Sequence, residues 1–364
     1  MVSKCKDHFA DLALRSVLNV ADLERKDVNF DLIKIVAKAG GAIEDSEFIE
    51  GIVLDKDFSH PQMEKEIEDA KIAILTCAFE APKPKTKHGL EIKSAEDYNK
   101  LYQMEQQYYI DQVQRVKASG ATVVICQWGF EDEANHLLMH NNLPAVRWVG
   151  GVEIELLALA TNAKIIPRFE EITPEKLGSA GMVKEYQFGT SNDKVLLIKD
   201  CAHSKAVTVL IRGGSKTICD EAKRCLFDAI CVIRNMIKNN NVVCGGGSSE
   251  LACAIKVQEE ADKIEGVEQY AVRAFADALE EIPMTLAENS GYAPIEYVQK
   301  IKKMQVEENC AYIGVDCTGQ GTNYMADQGI FESVMSKKQQ LQLATQVVKM
   351  ILKIDDVIAP QQYE

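Results

Sequence analysis

Apolar residues follow two periodicities along the chain, and these separate a strand-rich first part from a helix-rich last part. Residues 71–77 (KIAILTC) and 121–126 (ATVVIC) are near-continuous apolar runs, which are typical of buried strands. Further strands are expected at 32–37, 50–55, 143–149 and 206–211. Helices are expected at 5–25, 131–141, 152–163, after 211, and at 248–262, 266–281, 294–308 and 336–354. This order predicts a multidomain protein of mixed α+β and α/β class, with an α/β unit over 50–200 and three modules altogether.

An unusual insertion lies between the strands expected at 71–77 and 121–126. It begins with Pro82 and Pro84 interleaved with lysines, which excludes regular structure at that point. A long helix is expected from Ser94, and most of its apolar positions are tyrosines. Such a helix suits a surface that is covered at some times and wet at others. A helix packed permanently on the α/β unit remains the alternative.

Length, composition and charge exclude several classes of protein. The 364 residues exceed one ordinary core, and 46% hydrophobic with 26% charged residues is typical of a globular protein. A net charge of −14 argues against a nucleic-acid surface. No apolar run reaches the roughly 18 residues that span a membrane. The 11 cysteines are scattered singly, and the N-terminus does not resemble a signal peptide, so a cytoplasmic location is expected.

The segment 223–250 carries the strongest candidate chemistry. Asp228 is expected within an apolar helix face, and Gly245, Gly246 and Gly247 open directly onto a helix that starts at Ser248. Successive glycines let backbone N–H groups converge on one point, and the following helix adds its positive dipole end. A carboxylate near such an anion cradle indicates nucleotide hydrolysis. The alternative for Asp228 is an ordinary helix residue paired with a nearby arginine.

Two further carboxylates near the C-terminus could complete a nucleotide site. Asp316 is expected after a small strand (YIGVD), and Glu332, sixteen residues later, is expected after a turn-like run. Nucleotide sites commonly use a carboxylate on the ribose hydroxyls. Taken alone, each residue is better explained as an ordinary loop carboxylate.

Other motifs are weaker. The run IRGGSKT at 211–217 lacks the first glycine of a phosphate-binding loop, so a turn capped by Ser215 is expected there. His136 and His140, with Glu133, have a spacing that can bind a metal on one helix face, but no third ligand cluster accompanies them. No local signature of a nucleophilic triad is present.

Several runs together resemble the group II chaperonins, specifically the eukaryotic cytosolic chaperonin TRiC. The run DAICVIRN, a short polar link and VVCGGG recur in that family at the spacing found here. The resemblance extends over essentially the whole chain. It includes VLDKDFSHPQM, ICQWGFEDEANHLL and KKQQLQLATQVVKMILKIDD.

The resemblance implies a division into three domains. Residues 1–49 with 206–240 correspond to the intermediate domain, and 50–205 to the apical, substrate-binding domain. Residues 81–117 would form the helical protrusion of the apical domain. Residues 241–364 correspond to the C-terminal half of the equatorial, ATP-binding domain.

The resemblance also implies an activity and a set of site residues. It implies ATP-driven protein folding by a double ring of paralogous subunits, with Mg²⁺ as the accompanying cation, clients such as actin and tubulin, and no nucleic acid or membrane. Asp228 would be the catalytic residue that orients or activates the attacking water. The nucleotide-binding residues would be Gly245, Gly246, Gly247, Gly314, Asp316 and Glu332.

The family's G-D-G-T-T phosphate loop and its magnesium aspartate have no counterpart in this sequence, so no metal ligand is expected here. The chain is therefore expected to be a fragment or a degenerate copy that does not hydrolyse ATP by itself. Two alternatives are a metal-dependent phosphohydrolase that uses Asp228, Asp316 and Glu332, and a non-catalytic module that binds unfolded polypeptide.

Overall fold

The computed structural model describes residues 2–81, 92, 94–188, 193–201 and 206–358. Its helices are α1 (Lys6–Val20), α2 (Ala95–Ala118), α3 (Asp132–His140), α4 (Gly151–Thr161), α5 (Lys216–Lys238), α6 (Ser248–Ala261), α7 (Glu268–Asn289), α8 (Pro294–Glu307) and α9 (Val334–Ile351). Its strands are β1 (Ile33–Ala39), β2 (Glu47–Ile49), β3 (Gly51–Leu54), β4 (Glu66–Leu75), β5 (Val123–Cys126), β6 (Ala145–Val146), β7 (Gly178–Gln187), β8 (Lys194–Cys201), β9 (Val207–Gly213), β10 (Val242–Cys244) and β11 (Phe331–Ser333). The chain folds into two compact units, Met1–Arg234 and Asn235–Glu364.

A six-stranded mixed sheet dominates the first unit. Its strand order is β3-β8-β7-β4-β5-β6, in which β4, β5 and β6 run parallel and the other neighbours run antiparallel. The last four residues of β4, Ile72 to Leu75, are completely buried. Helices α2, α3 and α4 contribute buried residues to the same core, among them Val113, Leu138 and Leu157. Residues buried on both faces of the sheet account for the near-continuous apolar runs in the sequence.

A three-stranded sheet, ordered β1-β9-β2, lies beside the first in the same unit. A buried threonine joins the two sheets, because the Thr208 hydroxyl donates to the Gly51 carbonyl (2.9 Å) and accepts from the Val53 N–H (3.2 Å). Two lysines of β1 add ion pairs at this junction. Lys34 lies 2.5 Å from Glu153, and Lys38 lies 2.6 Å from Asp55.

The second unit is mainly helical. Helix α6 packs along α7, and α8 closes a small core that includes Leu251, Ala287, Ile301 and Val315. Strands β10 and β11 form an antiparallel pair, with Val243 opposite Glu332. Helix α9 has no buried residue among those described. Most of its apolar positions are exposed, and Leu341 is half-buried against a small cluster that includes Ala254 and Leu279.

The chain has two tryptophans, and both lie in the first unit. Trp128 and Trp148 are each about half exposed, and their ring centroids are 6.4 Å apart. Trp148 has a φ of +58°, and its ring lies so close to Gly129 that a Cβ atom there would be 2.7 Å from it. Val152, at the start of α4, is also exposed.

The mixture of helices and sheets is confirmed, and several boundaries differ from those predicted. Helix α1 ends at Val20, and α7 continues through Pro283. The strand expected at YIGVD is wrong, because only Ile313 pairs there, in an isolated bridge to Tyr324. Glu332 lies within strand β11, and the turn-like run precedes that strand. The proline-rich start of the insertion, at 82–91, lies outside the described residues.

Within the described residues, no helix combines the length and the apolar character that crossing a membrane requires.

Candidate nucleotide site

Gly245, Gly246 and Gly247, hereafter the glycine turn, connect β10 to α6. The N–H of Gly245 donates to the Ile330 carbonyl (3.1 Å), and the N–H of Ser248 donates to the Gly245 carbonyl (3.2 Å). The φ angles of Gly246 and Gly247 are +65° and +72°. These are left-handed conformations that residues with a side chain adopt only with strain. The sequence therefore folds here as predicted, with glycines immediately before a helix N-terminus.

The glycine turn is also tightly packed. A Cβ atom on Gly246 would lie 2.5 Å from the Met325 sulfur, and one on Gly247 would lie 2.8 Å from the Cβ of Pro283. Packing alone thus accounts for glycine at both positions. In the part of the chain that the structure describes, no backbone carbonyl accepts from the N–H of Gly246 or Gly247. Those two donors can therefore serve an anion.

The structure brings Gly314 against the glycine turn. The N–H of Val315 donates to the Gly246 carbonyl (2.9 Å), and the N–H of Gly314 donates to the Asn323 carbonyl (2.9 Å). A Cβ atom on Gly314 would lie 2.9 Å from the Gly246 carbonyl oxygen. A larger residue at this position would separate the two segments.

Asp316 follows directly and is buried, with 2% of its surface exposed. Its Oδ1 accepts from the N–H and the hydroxyl of Thr318 (both 3.2 Å), and its Oδ2 accepts from the N–H of Gly321 (2.8 Å). Burial by itself raises the pKa of Asp316. Hydrogen bonds, chiefly from Gly321 and from the side chain of Gln328, outweigh that effect and lower the pKa below its ordinary value. The carboxylate thus stays ionised and orders its own loop.

Glu332 lies on β11 and contacts a residue that the sequence analysis did not single out, Lys337. The Lys337 Nζ lies 2.5 Å from Glu332 Oε2 and 2.5 Å from Glu250 Oε1. Glu250, in the first turn of α6, also accepts from the Ser249 hydroxyl (2.8 Å). We call Lys337, Glu250 and Glu332 the lysine bridge. It connects the helix that follows the glycine turn to β11 and to the start of α9.

Burial and charge act in opposite directions on the lysine bridge. Burial raises the pKa of Glu250, but hydrogen bonds from Lys337 and Ser249 outweigh it and bring that pKa below its ordinary value. Burial lowers the pKa of Lys337, and the two carboxylates outweigh it and raise that pKa. Glu250 and Lys337 are therefore both charged near neutral pH.

Asp228 lies in the first unit, on α5. Its side chain is 67% exposed, and its Oδ2 lies 3.9 Å from Arg224, which pairs more closely with Glu221 at 2.6 Å. Its expected place within an apolar helix face is wrong, because the apolar face of α5 is buried through residues such as Leu226 and Ile230, and Asp228 lies on the exposed side. Asp228 thus has a solvent-accessible carboxylate held by one loose ion pair.

The weaker motifs have ordinary structural roles. At 211–217 a strand turns into α5, and the Ser215 hydroxyl accepts from the Ile218 N–H (3.4 Å), as expected of a capped turn. His136 and His140 contact each other on α3 with ring centroids 4.6 Å apart, and Glu133 accepts from Gln106. Over the described ranges, no three His, Cys, Asp or Glu side chains group closely enough to hold a metal ion.

Comparison with known proteins identifies relatives along nearly the whole chain. The chain is 46% identical over 359 residues to the T-complex protein 1 subunit epsilon of Encephalitozoon cuniculi, covering 99% of this chain and 67% of that protein. It is 37% identical to a thermosome subunit of Methanocaldococcus jannaschii, covering 98% of this chain and 66% of that protein. The chain thus spans about two thirds of the length of these relatives. The runs KPKTKH and QWGFEDEANHLL favour the epsilon type over its paralogues, in agreement with the first of these relatives.

A solved structure with the same fold is the open-state monomer of a group II chaperonin from Methanococcoides burtonii. It is 34% identical to this chain with a TM-score of 0.65, and the match covers 97% of this chain and 81% of that one. The family model for the TCP-1/cpn60 chaperonins matches residues 1–362. The resemblance to group II chaperonins is thereby confirmed, and the chain belongs to the TCP-1/cpn60 chaperonin family.

Proposed function

We propose that the chain is a subunit of an ATP-dependent chaperonin that assists the folding of cytosolic proteins. Its membership of the TCP-1/cpn60 family supports this activity. The observation that carries the proposal is the convergence of the glycine turn, Gly314 and Glu332 at one place in the second unit. Positions named from the sequence as nucleotide contacts thus lie next to one another, although about seventy residues separate the turn from Gly314.

The domain assignment is part of this proposal. The three-stranded sheet together with α1 and α5 would form the intermediate domain, at 1–49 and 206–240. The six-stranded sheet would form the apical domain, at 50–205, with α2 in its protrusion. Residues 241–364 would belong to the ATP-binding equatorial domain. The division is supported by the change of sheet between β2 and β3 and between β8 and β9.

In this proposal the site residues bind and orient the nucleotide. The N–H groups of Gly246 and Gly247 would donate to phosphate oxygens, while Gly314, Asp316 and Glu332 would line the base and ribose side. Bound Mg²⁺ would supply charge neutralisation on the phosphates, and no group of three His, Cys, Asp or Glu side chains among the described residues would hold it. Phosphoryl transfer depends mainly on positioning and charge stabilisation, so the fixed donors of the turn would contribute directly.

Asp228 is proposed as the catalytic carboxylate that orients the attacking water and accepts its proton. Its exposure and its loose pairing with Arg224 support this role, because the carboxylate is available to a water molecule. Asp228→Ala should leave ATP binding by this chain intact and reduce the hydrolysis that this chain contributes within the assembly by about 10²–10⁴-fold. Asp220→Ala, which removes another exposed carboxylate from α5, is the matched control. Both variants are to be assayed in the full chain together with paralogous subunits.

Binding of a fluorescent ATP analogue to the full chain tests the nucleotide site itself. Saturable binding that is weakened by Gly247→Ala would support the proposal. Absence of binding by the wild-type chain would overturn it.

The partners are proposed to be paralogous subunits in a double ring and unfolded clients of the actin and tubulin class. The names of the similar proteins, a T-complex protein 1 subunit and a thermosome subunit, support the ring. Co-expression with paralogous subunits followed by size separation should place this chain in a large complex. Its recovery only as a small species would contradict the proposed assembly.

A second candidate is a module that holds unfolded polypeptide without ATP. It is supported by the exposed apolar surface around Trp128, Trp148 and Val152. Suppression of client aggregation by the full chain would favour this candidate if ATP did not change it. Suppression that is reversed by ATP would favour the chaperonin cycle.

A further inference from the structure

Lys337 is the centre of the most heavily charged contact in the second unit, and none of the site roles above includes it. Its side chain is 18% exposed and lies 2.5 Å from two carboxylates. One of these, Glu250, is 5% exposed and belongs to the helix that the glycine turn starts. The other is Glu332, on β11. Lys337 thus connects the two sides of the candidate site through charge-assisted hydrogen bonds.

The lysine bridge occupies only one oxygen of Glu332. Oε2 contacts Lys337, whereas Oε1 lies 3.0 Å from the position that a Cβ atom on Gly245 would take. Oε1 therefore faces the glycine turn. An ionised carboxylate oxygen is only a hydrogen-bond acceptor, so it selects for a ligand that brings a hydroxyl or N–H donor to this point.

Charge gives Lys337 a second effect on the same ligand. Glu250 and Glu332 would place two negative charges beside the anion-binding N–H groups of Gly246 and Gly247. The ammonium group of Lys337 offsets one of them and reduces the repulsion of a phosphate. The depressed pKa of Glu250 agrees with its ionisation in this bridge.

We propose that Lys337 is a positioning residue that holds the Glu332 carboxylate toward the glycine turn, so that the site selects phosphorylated nucleosides carrying ribose hydroxyls. The inference rests on the proposed nucleotide site, in which Glu332 already lines the ribose side, and adds to it the residue that positions this carboxylate. Lys337 acts through Glu332 and does not contact the ligand itself.

The test compares the binding of ATP and of 2′,3′-dideoxy-ATP by the full chain. Loss of one hydrogen bond to a charged group costs about ten-fold in affinity, so the wild-type chain should prefer ATP by about that factor. Lys337→Met should bring the preference close to one, and Glu332→Ala, which removes the acceptor, should do the same. Lys337→Arg should restore part of it, since arginine can still pair with both carboxylates. Lys338→Met removes a neighbouring lysine and should keep the wild-type preference.

A second variant covers the case in which Lys337→Met does not fold because Glu250 is left buried without its partner. The double variant Glu250→Gln/Lys337→Met removes that charge, and its glutamine can still accept from Ser249. It too should lose the preference for ATP. Retention of the preference in a folded variant without Lys337 overturns the inference but leaves the nucleotide site in place, as does equal wild-type affinity for both nucleotides. Failure of the wild-type chain to bind either nucleotide overturns both proposals.

Discussion

The six-stranded sheet of the first unit and helix α9 of the second differ in how much apolar surface they bury. In β4, Ile72, Ile74 and Leu75 are completely buried. In α9, Leu343 and Ile351 are 60% and 58% exposed, and its described residues include no buried one. The sheet is thus stabilised mainly by its own apolar contacts, whereas α9 has few apolar contacts, among them that of Leu341, and pairs through the lysine bridge at its start. Burial of apolar surface therefore contributes much more to the first region than to the second.

The largest expected effect breaks the core of the first region. Ile74→Ala should lower the free energy of unfolding of the first unit by about 2–5 kcal/mol, because it leaves a cavity in a fully buried strand. Leu343→Ala on α9 should change stability by about 0.5 kcal/mol or less. Denaturant titration followed by tryptophan fluorescence and by circular dichroism measures the two effects. Similar losses for both variants would show that α9 is buried in the protein in solution.

A smaller effect is expected at the glycine turn. Gly247→Ala should cost about 1–3 kcal/mol, because it combines a positive φ with a contact 2.8 Å from Pro283. Gly266→Ala, at a φ of +101° with nothing within 4 Å, isolates the backbone strain and should cost less. Thermal unfolding followed by circular dichroism compares the two variants. Equal costs would remove the packing argument for Gly247.

Titration of the lysine bridge should change stability without creating a cavity. The folded-state pKa of Glu250 is lowered, so its stabilisation is present above the unfolded value of about 4.3 and is lost as the pH falls through the lower folded value. The raised pKa of Lys337 gives a stabilisation that is present below about 10.4 and is lost as the pH rises through its higher folded value. Unfolding free energies of the wild type and of Glu250→Gln, measured from neutral to acidic pH, should converge toward low pH. Parallel curves would contradict this contribution.

The smallest effect is expected at the exposed ion pair of the first unit. Lys38→Met should cost about 0.2–1 kcal/mol, and added salt should diminish the difference, because Asp55 is 57% exposed. Lys34→Met should cost more, since Lys34 also donates to the Val53 carbonyl (2.9 Å) and pairs with the less exposed Glu153. Denaturant midpoints at low and high salt measure both. A larger loss of stability for Lys38→Met than for Lys34→Met would contradict this order.

The central strands could be predicted from the sequence, because a strand that is buried on both faces consists almost entirely of apolar residues. The apolar runs ending β4 and forming β5 are recognisable without any partner. Strand β7 was missed because Gly178 and Gly181 interrupt it and because Lys184 and Glu185 follow within it. It forms a strand because it pairs with β4 on one side and with β8 on the other, and not because its own residues favour a strand.

The same distinction applies to the candidate site. The glycine turn could be predicted because a positive φ before a helix is a local requirement. Lys337 could not, because its partner Glu250 lies 87 residues away and its neighbours (SKKQQ) resemble an ordinary solvated helix start. Lys337 pairs with two carboxylates that only the tertiary structure brings together. No local sequence pattern predicts such a contact.

The placement of the tryptophans has a practical consequence for unfolding experiments. Trp128 and Trp148 are the chain's two tryptophans, and both lie in the first unit. Emission excited selectively through tryptophan is therefore a built-in reporter of that unit, and its half-exposed, closely spaced rings should respond when a polypeptide covers them. Melting of the helical second unit would leave this signal unchanged. A single fluorescence transition would consequently describe only the first unit. A tryptophan introduced at Leu343 would supply the corresponding signal for the second unit.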